Sequence, residues 1–157
     1  MNIIGTTTIN PFLFYSGKIV GYMTWMLLAM SFFNIIDISM YASPVFMYGS
    51  YAAFILGTIV TVFSLINLGS STRLGLPDEN TVLKTGGIYS FSRNPMYVGF
   101  DLFTVSSMLY TSNMFVVVAG LYSIVVYHFI ILGEEKFLLD RFGVAYMDYK
   151  SRVGRYL

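Results

Sequence analysis

The sequence predicts an all-α integral-membrane protein: a helical bundle of about four transmembrane helices, with a cytosolic loop between the second and third and an amphipathic helix near the C-terminal end. Three observations predict this. Of the 157 residues, 56% are hydrophobic and 11% charged, whereas a soluble domain of this size carries about a quarter charged residues. Too little polar side chain is present to cover a water-exposed surface, so lipid is the expected solvent. Apolar segments of spanning length recur along the chain, and nearly all Lys and Arg fall between or after them.

The first segment, "PFLFYSGKIVGYMTWMLLAMSFF" (Pro11 to Phe33), is interrupted only at Lys18, whose long stem can carry its ammonium to the nearer surface. It has no basic stretch before it and is too long for the apolar region of a signal peptide, so a span is expected. The second, Pro44 to Leu68, carries no charge, and the fourth, Met114 to Leu132, carries only His128. Each of these three reaches the ~20 residues that cross a hydrocarbon core. The third, from about Pro95 to Tyr110, is shorter and holds Asp101. Only "TSN" separates it from the fourth, so the pair reads as a tight helical hairpin. The division is then one domain, with two N-terminal spans over 1–68, a loop over 69–94, the hairpin over 95–132 and a C-terminal helical segment over 133–157.

Arg73, Lys84 and Arg93 lie between spans two and three, and Lys136, Arg141, Lys150, Arg152 and Arg155 lie after span four. The positive-inside rule places the loop and both termini in the cytosol, at the plasma membrane of a prokaryote or the endoplasmic reticulum of a eukaryote. A net charge of +1 speaks against nucleic acid, whose backbone demands a basic surface. The absence of cysteine excludes disulfides and thiolate metal sites, and no zinc pattern, G-x-G-x-x-G or Walker loop is present, so no metal is expected.

Polar residues gather in two stretches. "GSSTRLGLPDENTVLKTGGIYSFSRNP", Gly69 to Pro95, has the Gly, Pro, Asn and Ser content of an irregular loop, and a loop so long in a compact domain is usually functional. Its end, "SRNPMY", is how a helix starts: Asn94 is a favoured N-cap and Pro95 a favoured first residue. Such a start presents free N–H groups and partial positive charge, which suit a carboxylate or phosphate. The second stretch, "GEEKFLLDRFGVAYMDYKSRVGRYL", reads as two short helices broken at Gly143. Tyr146 and Tyr149 are expected at headgroup level and Asp148 paired with Arg152. Glu134 and Glu135 stand at the cytosolic end of span four, where adjacent acids oppose the helix dipole unless the helix continues. His128 reads as a packed or hydrogen-bonded bundle residue, and Asp101 requires a polar interior or a wet cavity.

"LPDENTVLKTGGIYSFSRNPMYVG", followed after the hairpin by "HFIILGEEKFLLDRFGVAYMDYKSRV", resembles the isoprenylcysteine carboxyl methyltransferase family. That family belongs with the phospholipid N-methyltransferases among integral-membrane methyltransferases that use S-adenosyl-L-methionine. The resemblance covers about Leu68 to Val153, and the first two spans match only as hydrophobic helices. It implies a cofactor pocket made by the loop, the start of span three and the end of span four. Carried over, the cofactor contacts are Thr81, Val82, Leu83, Lys84, Tyr89, Asn94, Pro95, Met96, Tyr97 and Glu134. Two positions depart from the family pattern. Asn94 stands where His is usual, and Ile130 stands where an Arg holds the substrate carboxylate, so the carboxyl acceptor is not carried over.

The expected function is methyl transfer from S-adenosylmethionine to a lipophilic small molecule or lipid acceptor at the cytosolic face, in contact with membrane lipids. Such transfer needs alignment and exclusion of water more than acid–base machinery. If the acceptor is an amine, Glu135, His128 or Asp101 receives its proton; a carboxylate or thiolate requires no base. Two other classes fit the hydrophobicity: an NADPH-dependent membrane reductase, which calls for clustered Arg or Lys, and a non-catalytic membrane protein, which leaves the loop and the "EE" pair unexplained.

Overall fold

The computed structural model describes residues 7–40, 43–69 and 82–157. Its elements are α1 (Pro11–Phe32), α2 (Pro44–Leu68), a 3-10 turn (Gly87–Ser90), α3 (Pro95–Thr111), α4 (Met114–Phe142) and α5 (Val144–Arg152). Local chemistry sets the boundaries. Asn10 and Asn113 cap α1 and α4 by accepting from Phe12 N at 2.9 Å and Phe115 N at 3.0 Å. Proline opens α1, α2 and α3, where its missing N–H costs nothing. Between α3 and α4 the turn is only Ser112 and Asn113, as "TSN" predicts, with Ser112 left-handed at φ 46°.

Bulky side chains face outward and small or hydroxylated ones inward. Phe12, Val45, Phe46, Ile55, Phe115 and Val118 are exposed, while Ser50, Ser64, Thr104, Ser106, Ser107 and Ser123 are buried. Lipid tails are as apolar as leucine, so helices in a membrane associate through close approach and interhelical hydrogen bonds. Both devices are present. Ser50 and Ser106 hydroxyls meet at 3.2 Å between α2 and α3. On α1, Gly17 and Gly21 stand four residues apart and receive Val126, Ser123 and Tyr127 of α4 so closely that a Cβ at Gly21 would lie 2.6 Å from Ser123 Oγ. Gly57 of α2 and Gly99 of α3 make the second close crossing, where a Cβ on Gly57 would lie 3.0 Å from the Gly99 carbonyl. The apolar core of Phe14, Tyr97, Val126, Tyr127, Ile130 and Ile131 sits toward the end of the bundle where α3 starts and α4 approaches its last turns.

All four expected segments fold as helices, the third the shortest as expected, while two other expectations need correction. Of the four segments, α1, α2 and α4 are long and apolar enough to cross a membrane. At 17 residues, α3 is about 25 Å long, short of the ~30 Å hydrocarbon core, and is held mainly against α2. The helix of span four does not stop at Leu132: α4 runs unbroken to Phe142, so Glu134 and Glu135 lie inside a helix and escape the dipole penalty. The break comes at Gly143, as expected, with φ 51°. Finally, Tyr146 and Tyr149 are packed into the protein rather than presented outward. They are 1% and 3% exposed, and the Tyr149 hydroxyl donates to the Tyr89 carbonyl at 2.6 Å. The outward face of α5 is instead Val144, Met147 and the expected Asp148–Arg152 pair at 2.8 Å.

Candidate functional site

The site is built where α3 begins and α4 passes it. Gly87, at φ 62°, starts the 3-10 turn and lies so tightly against Asn67 of α2 that any side chain there would collide with it. The turn buries Tyr89 and leads through Ser92 and Arg93 to Pro95, the first residue of α3. Asn94 occupies the N-cap position, but its side chain does not cap. It points away and donates to Glu135 Oε1 at 3.1 Å and to the Arg155 carbonyl at 3.3 Å. The first-turn N–H groups of Met96 and Tyr97 are therefore not taken by the expected side chain, while Val98 N closes the helix onto the Asn94 carbonyl at 3.1 Å.

Successive residues on a helix point about 100° apart, and that rotation gives the two adjacent acids different surroundings. Glu135 faces the C-terminal tail and is saturated. Its Oε1 accepts from Arg93 Nη2 at 2.9 Å, Arg93 Nε at 3.3 Å, Asn94 Nδ2 at 3.1 Å and Arg155 Nε at 3.2 Å. Its Oε2 accepts from Arg155 Nη2 at 3.1 Å. Arg93 also donates to the Val153 carbonyl at 2.6 Å, its backbone N–H reaches the Gly154 carbonyl at 3.0 Å, and Ser92 donates to the Arg155 carbonyl at 3.3 Å. The tail is thereby laced onto the start of α3, and Arg93 closes on Glu135 rather than reaching for lipid phosphates.

Glu134 faces the other way and, among the described residues, has one hydrogen bond, from the Tyr97 hydroxyl at 2.7 Å. Lys18 of α1 lies within charge-interaction range of it, its ammonium 4.1 Å over the Phe14 ring. Tyr89 stands nearby. Burial pushes its phenol up to about 12, and the charge of Glu134 acts in the same direction, so its hydroxyl remains a donor at neutral pH. Burial, followed by the charge of Glu135, likewise pushes Tyr146 up to about 12. Hydrogen bonding to Glu135 holds Arg155 above its ordinary value.

Of the cofactor contacts expected from sequence, the structure brings Tyr89, Asn94, Pro95, Met96, Tyr97 and Glu134 to one end of the bundle. Leu83 is half-buried and Val82 and Lys84 are exposed on the approach to the 3-10 turn; Thr81 lies outside the described residues. Ile130, fully buried, is part of the apolar core. Asp101 and His128 are apart from Glu134, in a cleft lined by Asp101, Ile124, Val125, His128, Phe129 and Tyr156. His128 Nδ1 meets the Tyr156 hydroxyl at 2.6 Å, as a hydrogen-bonded bundle histidine should. Arg155 and Tyr156 were not singled out by sequence. In the linear chain they read as one more tail cation and one more interfacial aromatic, and only contacts to residues 20 and 28 positions away give them a role.

Sequence comparison gives the family. The profile of the family described as phospholipid methyltransferase matches residues 45–145, which takes in α2, the start of α3 and both acids. The chain is 34% identical over 80 residues to the protein-S-isoprenylcysteine O-methyltransferase of Saccharomyces cerevisiae, covering 49% of this chain and 33% of that one. To the protein of the same name from Dictyostelium discoideum it is 31% identical over 103 residues, covering 63% and 44%. To protein-S-isoprenylcysteine O-methyltransferase A of Arabidopsis thaliana it is 32% identical over 105 residues, covering 63% and 52%. The chain thus spans a third to about half the length of these relatives. With the profile running through well over half of the chain and across the paired acids, this integral-membrane protein belongs to the phospholipid methyltransferase family.

Proposed function

We propose that the protein is a single membrane methyltransferase domain that transfers a methyl group from S-adenosylmethionine to a lipophilic acceptor at the cytosolic face. The observation that carries this reading is the Tyr97–Glu134 contact of 2.7 Å beside a helix start whose Asn94 does not cap it. Glu134 retains acceptor capacity that one tyrosine does not fill, so it would hold the cofactor's ammonium. The N–H groups of Met96 and Tyr97 would hold its carboxylate, helped by the partial positive charge of the helix start. Tyr89 supplies an aromatic face and a protonated hydroxyl at the same end. When bound, the cofactor supplies an electrophilic methyl on a sulfonium; the chain supplies alignment and a dry wall of Phe14, Tyr127, Ile130 and Ile131.

Glu135, with both oxygens committed to arginines, acts as a positioning residue that fixes the angle between α3 and α4. It is an unsuitable proton acceptor, which leaves Asp101 and His128 for an acceptor that must lose one. The test is calorimetric titration of detergent-purified protein with S-adenosylhomocysteine, beside Glu134→Gln. Saturable binding that weakens at least tenfold in the variant is expected. Absence of binding to a monodisperse parent would overturn the methyltransferase reading.

A further inference from the structure

Lys18 is the one charged residue of α1, a helix long and apolar enough to cross a membrane. An ionisable group inside a span is rare, and it pairs with something or marks a ligand's path. Helical side chains lean toward the helix start, and the half-buried Lys18 places its ammonium 4.1 Å over the ring of Phe14, one turn back. Phe14 in turn belongs to the apolar cluster that holds Tyr97 and Ile130. The chain leading into α1 crosses α4 just before the paired acids. Thr8 Oγ1 donates to the Ile130 carbonyl at 3.4 Å, and a Cβ on Gly133 would lie 2.7 Å from Thr8. The beginning of α1 is therefore packed against the same end of α4 that carries Glu134. Among the described residues the Lys18 ammonium has neither a hydrogen-bond acceptor nor an ion pair. Glu134 lies within charge-interaction range of it without closing on it. The other cations at this end are placed differently: Arg93 and Arg155 are committed to Glu135, and Lys84 and Lys136 are exposed.

Two opposite charges that closed on each other would satisfy themselves and leave nothing to offer a ligand. Held apart, each keeps its capacity: the ammonium has three donors, and the carboxylate has acceptor sites beyond the one that Tyr97 fills. Such a divided pair is complementary to a zwitterion, whose own ammonium and carboxylate meet the opposite charges in charge-assisted hydrogen bonds. We propose that Lys18 is a cofactor-binding residue, taking the carboxylate at the amino-acid end of S-adenosylmethionine while Glu134 takes the ammonium. This rests on the methyltransferase reading and deepens it. A carboxylate has about four acceptor sites, so Lys18 adds to the N–H groups at the start of α3 rather than displacing them. The Phe14 ring beneath the ammonium holds it on the protein side by cation–π attraction. The family match begins at residue 45, after α1 has ended. The first span thereby supplies a part of the cofactor site that the matched region does not contain.

The test measures binding apart from turnover. The full chain in detergent is titrated by calorimetry with S-adenosylhomocysteine and with its decarboxylated analogue, which keeps the nucleoside, thioether and ammonium and lacks only the carboxylate. Lys18→Met, which keeps the length and apolar character of the stem, should bind S-adenosylhomocysteine about tenfold more weakly than the parent, the loss of one charged hydrogen bond. The same variant should bind the decarboxylated analogue no more weakly than the parent does, because that ligand has nothing for Lys18 to hold. Lys18→Arg, which restores the cation, should recover most of the affinity for S-adenosylhomocysteine. Equal weakening of both ligands in Lys18→Met would assign the residue to the fold and overturn the inference. Unchanged binding of S-adenosylhomocysteine in Lys18→Met would do the same, leaving Lys18 to a lipid phosphate and the cofactor reading intact. Failure of Lys18→Arg to recover any affinity would also count against it. A monodisperse parent that binds no S-adenosylhomocysteine overturns the methyltransferase reading and this inference with it.

Discussion

Replacing Glu135 with alanine strands Arg93 in the protein without its anion. Both side chains of that pair are 7% exposed, and they meet at 2.9 Å. Removing one partner of a buried pair costs about 3–5 kcal/mol, because the other charge is left uncompensated. Arg93 keeps the carbonyls of Val153 at 2.6 Å and Lys150 at 3.3 Å, which places the expected loss near the lower end, about 3 kcal/mol. Arg155 is 31% exposed; it regains water and adds little. The neighbouring substitution supplies the control. Glu134→Ala removes the single hydrogen bond this acid has among the described residues, so its stability cost should be about 1.5 kcal/mol, half that of Glu135→Ala, yet it should abolish S-adenosylhomocysteine binding. Unfolding is followed in one detergent by the fluorescence of Trp25, the single tryptophan of the chain. Cofactor-product binding is measured on the same preparations. The reasoning predicts a crossed pattern, in which one acid governs stability and its neighbour governs binding. Indistinguishable unfolding of Glu135→Ala and the parent, or a greater loss in Glu134→Ala, would refute it.

Tyr97→Phe keeps the ring between Phe100 and Tyr127 but deletes the donor to Glu134. A hydrogen bond to a charged group contributes about 1.5–3 kcal/mol to folding, so unfolding should come earlier by about 1.5 kcal/mol, and S-adenosylhomocysteine should bind at least tenfold more weakly by calorimetry because Glu134 loses the partner that orients it. Gly21→Leu forces a side chain into Ser123 and Tyr127, where even a Cβ comes within 2.6 and 2.9 Å of their hydroxyls. Overpacking of this kind costs about 1–3 kcal/mol, read as an earlier unfolding midpoint in the same detergent, whereas Val118→Leu at an exposed position of α4 should be nearly silent. Gly143→Ala meets no neighbouring atom but holds φ 51° with ψ −120°. Its cost, about 1–3 kcal/mol, is therefore purely conformational and should be matched by serine at the same place.

The bundle was legible in the sequence because membrane spans are written locally. Pro44 to Leu68 appears as one uncharged run and folds as the helix of those bounds. The site was legible in part. Arg93, Asn94 and Pro95 announce a helix start, and Pro95 duly opens α3. What the local pattern misassigned was the destination of the Asn94 side chain. Capping preference describes an isolated helix, and here the Glu135 carboxylate, a stronger acceptor than solvent, draws the amide away. Tyr146 and Tyr149 failed for the opposite reason. Their spacing suits an interfacial helix, but the loop carbonyl of Tyr89 and the buried Arg93 lie on the side they face. Arg155 and Tyr156 carried no local signal, since nothing in "VGRYL" indicates that it lies across the beginning of α3.

The unbroken α4 has one more consequence. From Met114 to Glu134 the helix rises about 30 Å, which is the thickness of an average hydrocarbon core. The helix then continues to Phe142 without a hinge, so the acid is fixed to the span as a mark is fixed to a ruler. A bilayer a few ångströms thicker or thinner does not stretch this ruler; it tilts it or slides it, as mismatch does for any rigid span. The depth of Glu134 beneath or above the headgroups is then set jointly by the helix and by the lipid around it. Acyl-chain length, in membranes of otherwise constant composition, becomes a variable that acts on the site without touching a single one of its residues.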